Sequence, residues 1–158
     1  MTQLSRAGRL LPTLLRLMVK PMFASAPVGL QRASMALAGP LSRIPAAARF
    51  QPQELNGVAG ERASGAQSSE TAAILYLHGG GYCIGSAQSH RPITGTLALA
   101  TGMPVHALAY RLAPEHPFPA ALDDALAAYK ALADAGVKRI VLAGDSAGGG
   151  LALAALAE

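Results

Sequence analysis

Residues 139–150 read Arg139-Ile140-Val141-Leu142-Ala143-Gly144-Asp145-Ser146-Ala147-Gly148-Gly149-Gly150. Ile140 to Ala143 is an apolar run of strand length, and the alanine- and leucine-rich stretch from 147 onward is long enough for a helix, so the junction reads strand, tight turn, helix. Within it, Gly144-Asp145-Ser146-Ala147-Gly148 sets a serine between glycines two residues away on either side. A serine on so sharp a turn sits in a strained backbone conformation, and small neighbours at those positions avoid collision. Its hydroxyl then stands at the C-terminal end of a strand, where ligands bind in open α/β sheets, and the dipole of the following helix favours negative charge there. A glycine-rich helix N-terminus that binds phosphate is the other reading of these residues.

The same texture recurs upstream. Ala72-Ala73-Ile74-Leu75-Tyr76-Leu77 is a compact apolar run that ends in His78-Gly79-Gly80-Gly81-Tyr82. Three consecutive glycines cost conformational entropy. They also let backbone N–H groups approach a substrate closely, as an oxyanion hole for acyl transfer requires, whereas a flexible turn is the bland alternative. His78 reads as a brace for this loop rather than a base, and His90, His106 and His116 as structural or solvent-exposed residues. The pattern further predicts a short, glycine-interrupted hairpin strand over 55–62 with a loop at 64–69, a helix over 88–102, a strand over 104–110, a helix over 120–135 ended by Gly136, and a helix over 147–157. Apolar strands alternating with helices predict βαβ units, hence an α/β fold with a mostly parallel sheet flanked by helices.

Of the 158 residues, 51% are hydrophobic and 14% charged, which demands a buried core and excludes a disordered chain. The net charge of +4 divides unevenly. Residues 1–53 hold seven bases (Arg6, Arg9, Arg16, Lys20, Arg32, Arg43, Arg49) and no acid, whereas residues 54–158 hold six bases and nine acids. The chain is therefore read as two parts, 1–53 as basic amphipathic helices and 54–158 as the catalytic part, with no nucleic-acid partner. The stripe Leu10, Leu11, Leu14, Leu15, Leu17, Met18, Met22 could lie on a membrane surface or cover an apolar pocket. It also imitates a signal peptide ending at Ala24-Ser25-Ala26, although Pro12, Arg16 and Lys20 interrupt it. The lone Cys83 forms no internal disulfide or metal cluster, which suits a cytoplasmic protein, with export or membrane-surface association as alternatives.

Three segments together resemble the hormone-sensitive-lipase-like, or GDXG, branch of the α/β hydrolases: Ile74 to Tyr82, Tyr110 to Asp124 and Gly144 to Gly149. The resemblance covers about residues 50–158 and implies the N-terminal portion of an α/β-hydrolase fold. It implies Ser146 as the nucleophile and the backbone N–H groups of Gly80, Gly81 and Ala147 as the oxyanion hole. His78, Gly79, Gly144, Asp145 and Gly148 would support them. Arg111, Glu115 and Asp123 would order the site from behind through polar contacts, and the basic N-terminal helices would stand where the family carries its cap. The implied reaction is hydrolysis of a small-molecule carboxylic ester through an acyl-enzyme, with no metal and no cofactor.

The chain departs from the family after Ser146. In α/β hydrolases the nucleophile is followed by an acid and then a histidine. Only twelve residues follow Ser146 here, with no histidine and one acid, Glu158. The chain is accordingly read as a fragment truncated after the helix that follows Ser146, with a complete protein of other design as the alternative. Two further functions compete: an α/β-hydrolase-fold protein that binds small molecules without catalysis, and a membrane-surface module built on residues 1–53.

Overall fold

The computed structural model describes residues 12–13, 16–17, 25–38, 43–69 and 71–158. Apart from Leu17, the N-terminal apolar stripe lies outside the described residues, as do Arg6, Arg9 and Lys20. The elements are α1 (Val28–Ala38), β1 (Arg49–Leu55), β2 (Val58–Ser64), β3 (Ala72–Leu77), a 3₁₀ turn at Gln88–His90, α2 (Arg91–Thr101), β4 (Val105–Leu108), α3 (Ala120–Asp134), β5 (Arg139–Gly144) and α4 (Ala147–Leu156). No described helix is long and apolar enough to cross a membrane.

The strand expected over 55–62 is in fact a corner between two strands. Asn56 and Gly57 have φ of 49° and 82°, the pair of positive values that a two-residue hairpin turn demands. Leu55 therefore faces Val58 across the turn, and β1 reaches back to Arg49 opposite Ser64. The position 53/54, where the charge pattern changes, lies inside β1.

The five strands run in the order β1-β2-β4-β3-β5. The sheet is mixed: β3 pairs parallel with β4 and β5, while β2 joins β1 and β4 antiparallel. Alternation along β3 feeds two cores. Leu75 and Leu77 pack with Val58, Leu108, Ala125 and Leu132, and with Leu151 of α4. Ile74 and Tyr76 pack on the other face with Val105, Ala107 and Ala98 of α2. That arrangement explains why β3 is buried along its whole length and why its sequence shows no alternation of polarity.

Helix α3 buries Ala120, Asp124, Ala125, Ala128 and Leu132, a stripe at helical spacing. It stops where the Val137 N–H donates to the Leu132 carbonyl and the Gly136 N–H to the Ala133 carbonyl, the paired bonds of a Schellman ending. Strand β5 stands at the edge of the sheet among the described residues, paired only with β3.

Candidate active site

Ser146 sits at the junction of β5 and α4 with φ 49° and ψ −122°, a backbone state that L residues rarely adopt. It occupies the N-cap position of α4, where a serine ordinarily turns its Oγ onto an amide of the first turn. No such bond forms, the hydroxyl has no hydrogen-bond partner among the described residues, and the residue is exposed. The turn closes through the Gly148 N–H to the Asp145 carbonyl at 2.8 Å and the Gly149 N–H to the Ser146 carbonyl at 3.0 Å. The glycines of the motif are demanded by contact. A Cβ on Gly148 would overlap the Leu77 carbonyl oxygen, and one on Gly144 would overlap the Gly148 carbonyl.

The glycine loop after β3 is tied to this turn by Asp145. Its Oδ1 accepts the Tyr76 hydroxyl at 2.7 Å and the Gly79 N–H at 2.9 Å, and His90 Nε2 lies 3.4 Å away. Burial opposes ionisation of Asp145, but the Tyr76 hydroxyl, the Gly79 N–H and His90 together outweigh it, and the carboxyl lies below its usual range. Gly80 has φ 124°, and any Cβ there would overlap the Ile84 carbonyl oxygen. The loop then closes as the N–H groups of Cys83 and Ile84 donate to the Gly80 carbonyl at 3.1 and 3.0 Å. The N–H groups of Gly80, Gly81 and Ala147 donate to no acceptor among the described residues. A free hydroxyl and three unspent backbone donors therefore belong to two segments held together by one carboxylate.

His78 lies buried under the glycine loop, held by stacking and hydrogen bonds. Its ring stacks on Tyr110 at 4.3 Å and on His90 at 5.4 Å. Its Nδ1 lies 2.9 Å from the Gly79 carbonyl, to which it can only donate, and its own carbonyl accepts the Tyr110 hydroxyl at 2.6 Å. Burial, reinforced by His90, lowers its pKa to about 4. His106, whose Nδ1 meets Gln53 Oε1 at 2.7 Å, is likewise lowered to about 4, first by burial and then by Arg62. The folded protein thus refuses two protons that the unfolded chain accepts below about 6.5. Stability is full above that pH and falls as the pH drops toward 4, by up to ~1.4 kcal/mol per pH unit for each imidazole. Urea midpoints of the longest reading frame that contains these residues are expected to decline steadily from pH 7 to 4.5. A midpoint unchanged over that interval would contradict the burial of neutral imidazoles.

Behind the loop, Arg111 meets Asp124 and not Asp123. Its Nη2 and Nε donate to Asp124 Oδ1 at 2.7 and 2.9 Å, and its backbone N–H donates to Oδ2 at 2.8 Å. The reason is helical phase: Asp124 lies on the buried stripe of α3, while Asp123, one residue earlier, is exposed. Glu115 is held by Arg32 of α1, which reaches it with both terminal nitrogens at 2.8 Å. Beside these residues a cleft of about 350 Å³ is lined by Gly81, Tyr82, Ala113, Phe118, Leu122 and Ala154, among others. The sequence reasoning missed Asp124, Tyr76, His90 and Arg32. The burial periodicity of α3 could have separated Asp124 from Asp123, but nothing local marks the other three.

A sequence profile of the alpha/beta hydrolase fold matches residues 74–158. The chain is 58% identical over 85 residues to an acetyl-hydrolase of Streptomyces hygroscopicus, covering 52% of this chain and 28% of that protein. It is 39% identical over 139 residues to the putative acetyl-hydrolase LipR of Mycobacterium tuberculosis, covering 85% and 45%. Among solved structures, EstE5 soaked with p-nitrophenyl butyrate superposes with a TM-score of 0.85 at 39% identity, covering 93% of this chain and 50% of that one. An esterase of the bacterial hormone-sensitive lipase family superposes with a TM-score of 0.83 at 35% identity, covering 99% and 52%. The chain spans about half the length of these structures and less than half of the two curated relatives.

Proposed function

The chain belongs to the alpha/beta hydrolase fold family, in its hormone-sensitive-lipase-like branch, and from that membership we propose that it carries the nucleophile and oxyanion half of a carboxylic ester hydrolase. The observation that carries this reading is Ser146, a strained, exposed serine at a helix N-cap whose hydroxyl caps nothing. In this proposal Ser146 Oγ attacks the ester carbonyl carbon as its proton passes to a base. The carbonyl π electrons move to oxygen, and the N–H groups of Gly80, Gly81 and Ala147 receive the oxyanion. Collapse expels the alcohol and leaves an acyl-serine, which water hydrolyses to the acid. Asp145 positions the donors by holding Gly79 to the elbow, and the apolar cleft at Gly81 and Tyr82 takes one arm of a small ester.

His78 is not cast as the base: its lowered pKa and its bond to Gly79 suit a structural group. The base and its orienting acid would come from the half of the domain that the relatives have and these residues lack. The names of the relatives favour short acyl groups, acetyl above all.

A fluorophosphonate probe tests the reading. The longest reading frame containing residues 1–158, or a chimera joining them to the second half of a matched esterase, is expected to be labelled once, at Ser146. Saturable binding of an ester with no adduct would support the non-catalytic binding protein instead.

A further inference from the structure

Among the described residues, the basic N-terminal segment hydrogen-bonds to the glycine loop through Arg32. Arg32, in the second turn of α1, donates its Nε to the Cys83 carbonyl at 2.8 Å and its Nη2 to the Ala113 carbonyl at 2.9 Å. The fork of Nη1 and Nη2 closes on the Glu115 carboxylate. One planar guanidinium thus spans three acceptors on two loops. Cys83 belongs to the turn that begins at Gly80, and Ala113 lines the cleft. The Tyr82 carbonyl accepts the Ala113 N–H at 2.9 Å, so Arg32 reinforces a junction that, among the described residues, is otherwise bridged by one backbone bond. The ion pair holds the Glu115 carboxyl down to about 2, so it persists across the ordinary pH range.

We propose that Arg32 is a positioning residue for ester hydrolysis, fixing the loop of Gly80 and Gly81 against the 111–116 loop so that α1 forms part of the oxyanion machinery. The proposal rests on the hydrolase reading above. Its physical content is preorganisation. Donors gain their catalytic effect only if they already stand where negative charge develops, and a loop that must be ordered during the reaction loses that advantage. The residues 78–85 hold four positive φ values, at Gly80, Gly81, Tyr82 and Gly85, conformations that need external fixing to persist. Arginine is required because a lysine ammonium cannot satisfy three planar acceptors together.

The experiment uses the longest reading frame that contains residues 1–158. Arg32→Gln is expected to lower kcat for p-nitrophenyl acetate by roughly tenfold to a hundredfold with KM changed less than about threefold. Affinity for a boronic acid analogue of the tetrahedral intermediate should fall in parallel with kcat. Amide hydrogen exchange over 80–85 and 111–116 should accelerate at least about fivefold. Arg32→Lys should fall between the two, and Arg43→Gln, which removes a charge from the same segment, should match the wild type. A kcat within twofold of wild type for Arg32→Gln overturns the proposal, as does a loss of kcat with unchanged loop exchange. If the Arg32 variants fail to fold, Glu115→Gln, which removes the charge and keeps the two carbonyl bonds, must still accelerate exchange over 111–116, or the proposal fails. If the wild type hydrolyses no ester, the hydrolase reading fails, and exchange alone decides whether Arg32 holds the two loops.

Discussion

Alanine in place of Ser146, in the longest reading frame or in the chimera described above, is expected to lower kcat for p-nitrophenyl acetate by roughly three or more orders of magnitude. The size follows from how the residue is held. Losing an N-cap serine ordinarily costs a helix about 1 kcal/mol, but Ser146 makes no cap bond, so alanine removes the hydroxyl and little else. Backbone strain at φ 49° is common to both residues, and stability should change by less than about 1 kcal/mol. The loss of rate then isolates chemistry from folding. Nucleophile and base act as one unit, so the remaining rate should be what the oxyanion donors give to direct attack by water. Measured kcat and thermal midpoint, side by side, decide it. Turnover above about a tenth of wild type would remove Ser146 from the nucleophile role.

What could be read from the sequence was what chemistry packs into a few consecutive residues. The turn at 144–148 and the glycine loop at 78–82 each show in a few consecutive residues, with glycines where the Leu77, Gly148 and Ile84 carbonyls leave no room for a Cβ, and both stand where they were expected. The hairpin was misread because Gly57 and Gly60 looked like interruptions of one strand. Asn56-Gly57 was the turn signal, and Gly60 is simply where the Ala107 carbonyl passes too close for a Cβ. Contacts between distant segments left no trace. Asp145 meets Gly79 across 66 positions and Arg32 meets Glu115 across 83. In the sequence Arg32 was one of seven bases in an acid-free stretch, and only the fold pairs its charge with Glu115.

A polypeptide of these 158 residues and nothing more is expected to self-associate at micromolar concentration and to show no ester turnover above a small residual. The free side of β5 has no strand against it among the described residues. Its neighbour α4, Ala-Gly-Gly-Gly-Leu-Ala-Leu-Ala-Ala-Leu, carries no charge and leaves Leu153 71% and Leu156 73% exposed. Between the two runs a groove of about 300 Å³ lined by Leu142, Ala143, Ala152, Leu153 and Leu156. An apolar sheet edge whose only charge is Arg139 at its start pairs readily with whatever strand it meets. Val141, 39% exposed, adds to that surface. Sedimentation velocity should therefore show large species, and Val141→Lys with Leu153→Glu should shift them toward monomer without touching the elbow. The chemistry fails for a separate reason. Of the four histidines, His78 and His106 are buried with pKa values near 4, too low for an efficient base at neutral pH. His90 is committed to Ser86, Ser89 and Asp145, and His116 is on the surface. Ser146 would keep the pKa of an ordinary alcohol and react slowly with fluorophosphonate. A soluble monomer that unfolds cooperatively and hydrolyses esters in a Ser146-dependent way would overturn both halves of this expectation. It would make His90, which already reaches the carboxylate next to the nucleophile, the first residue to replace.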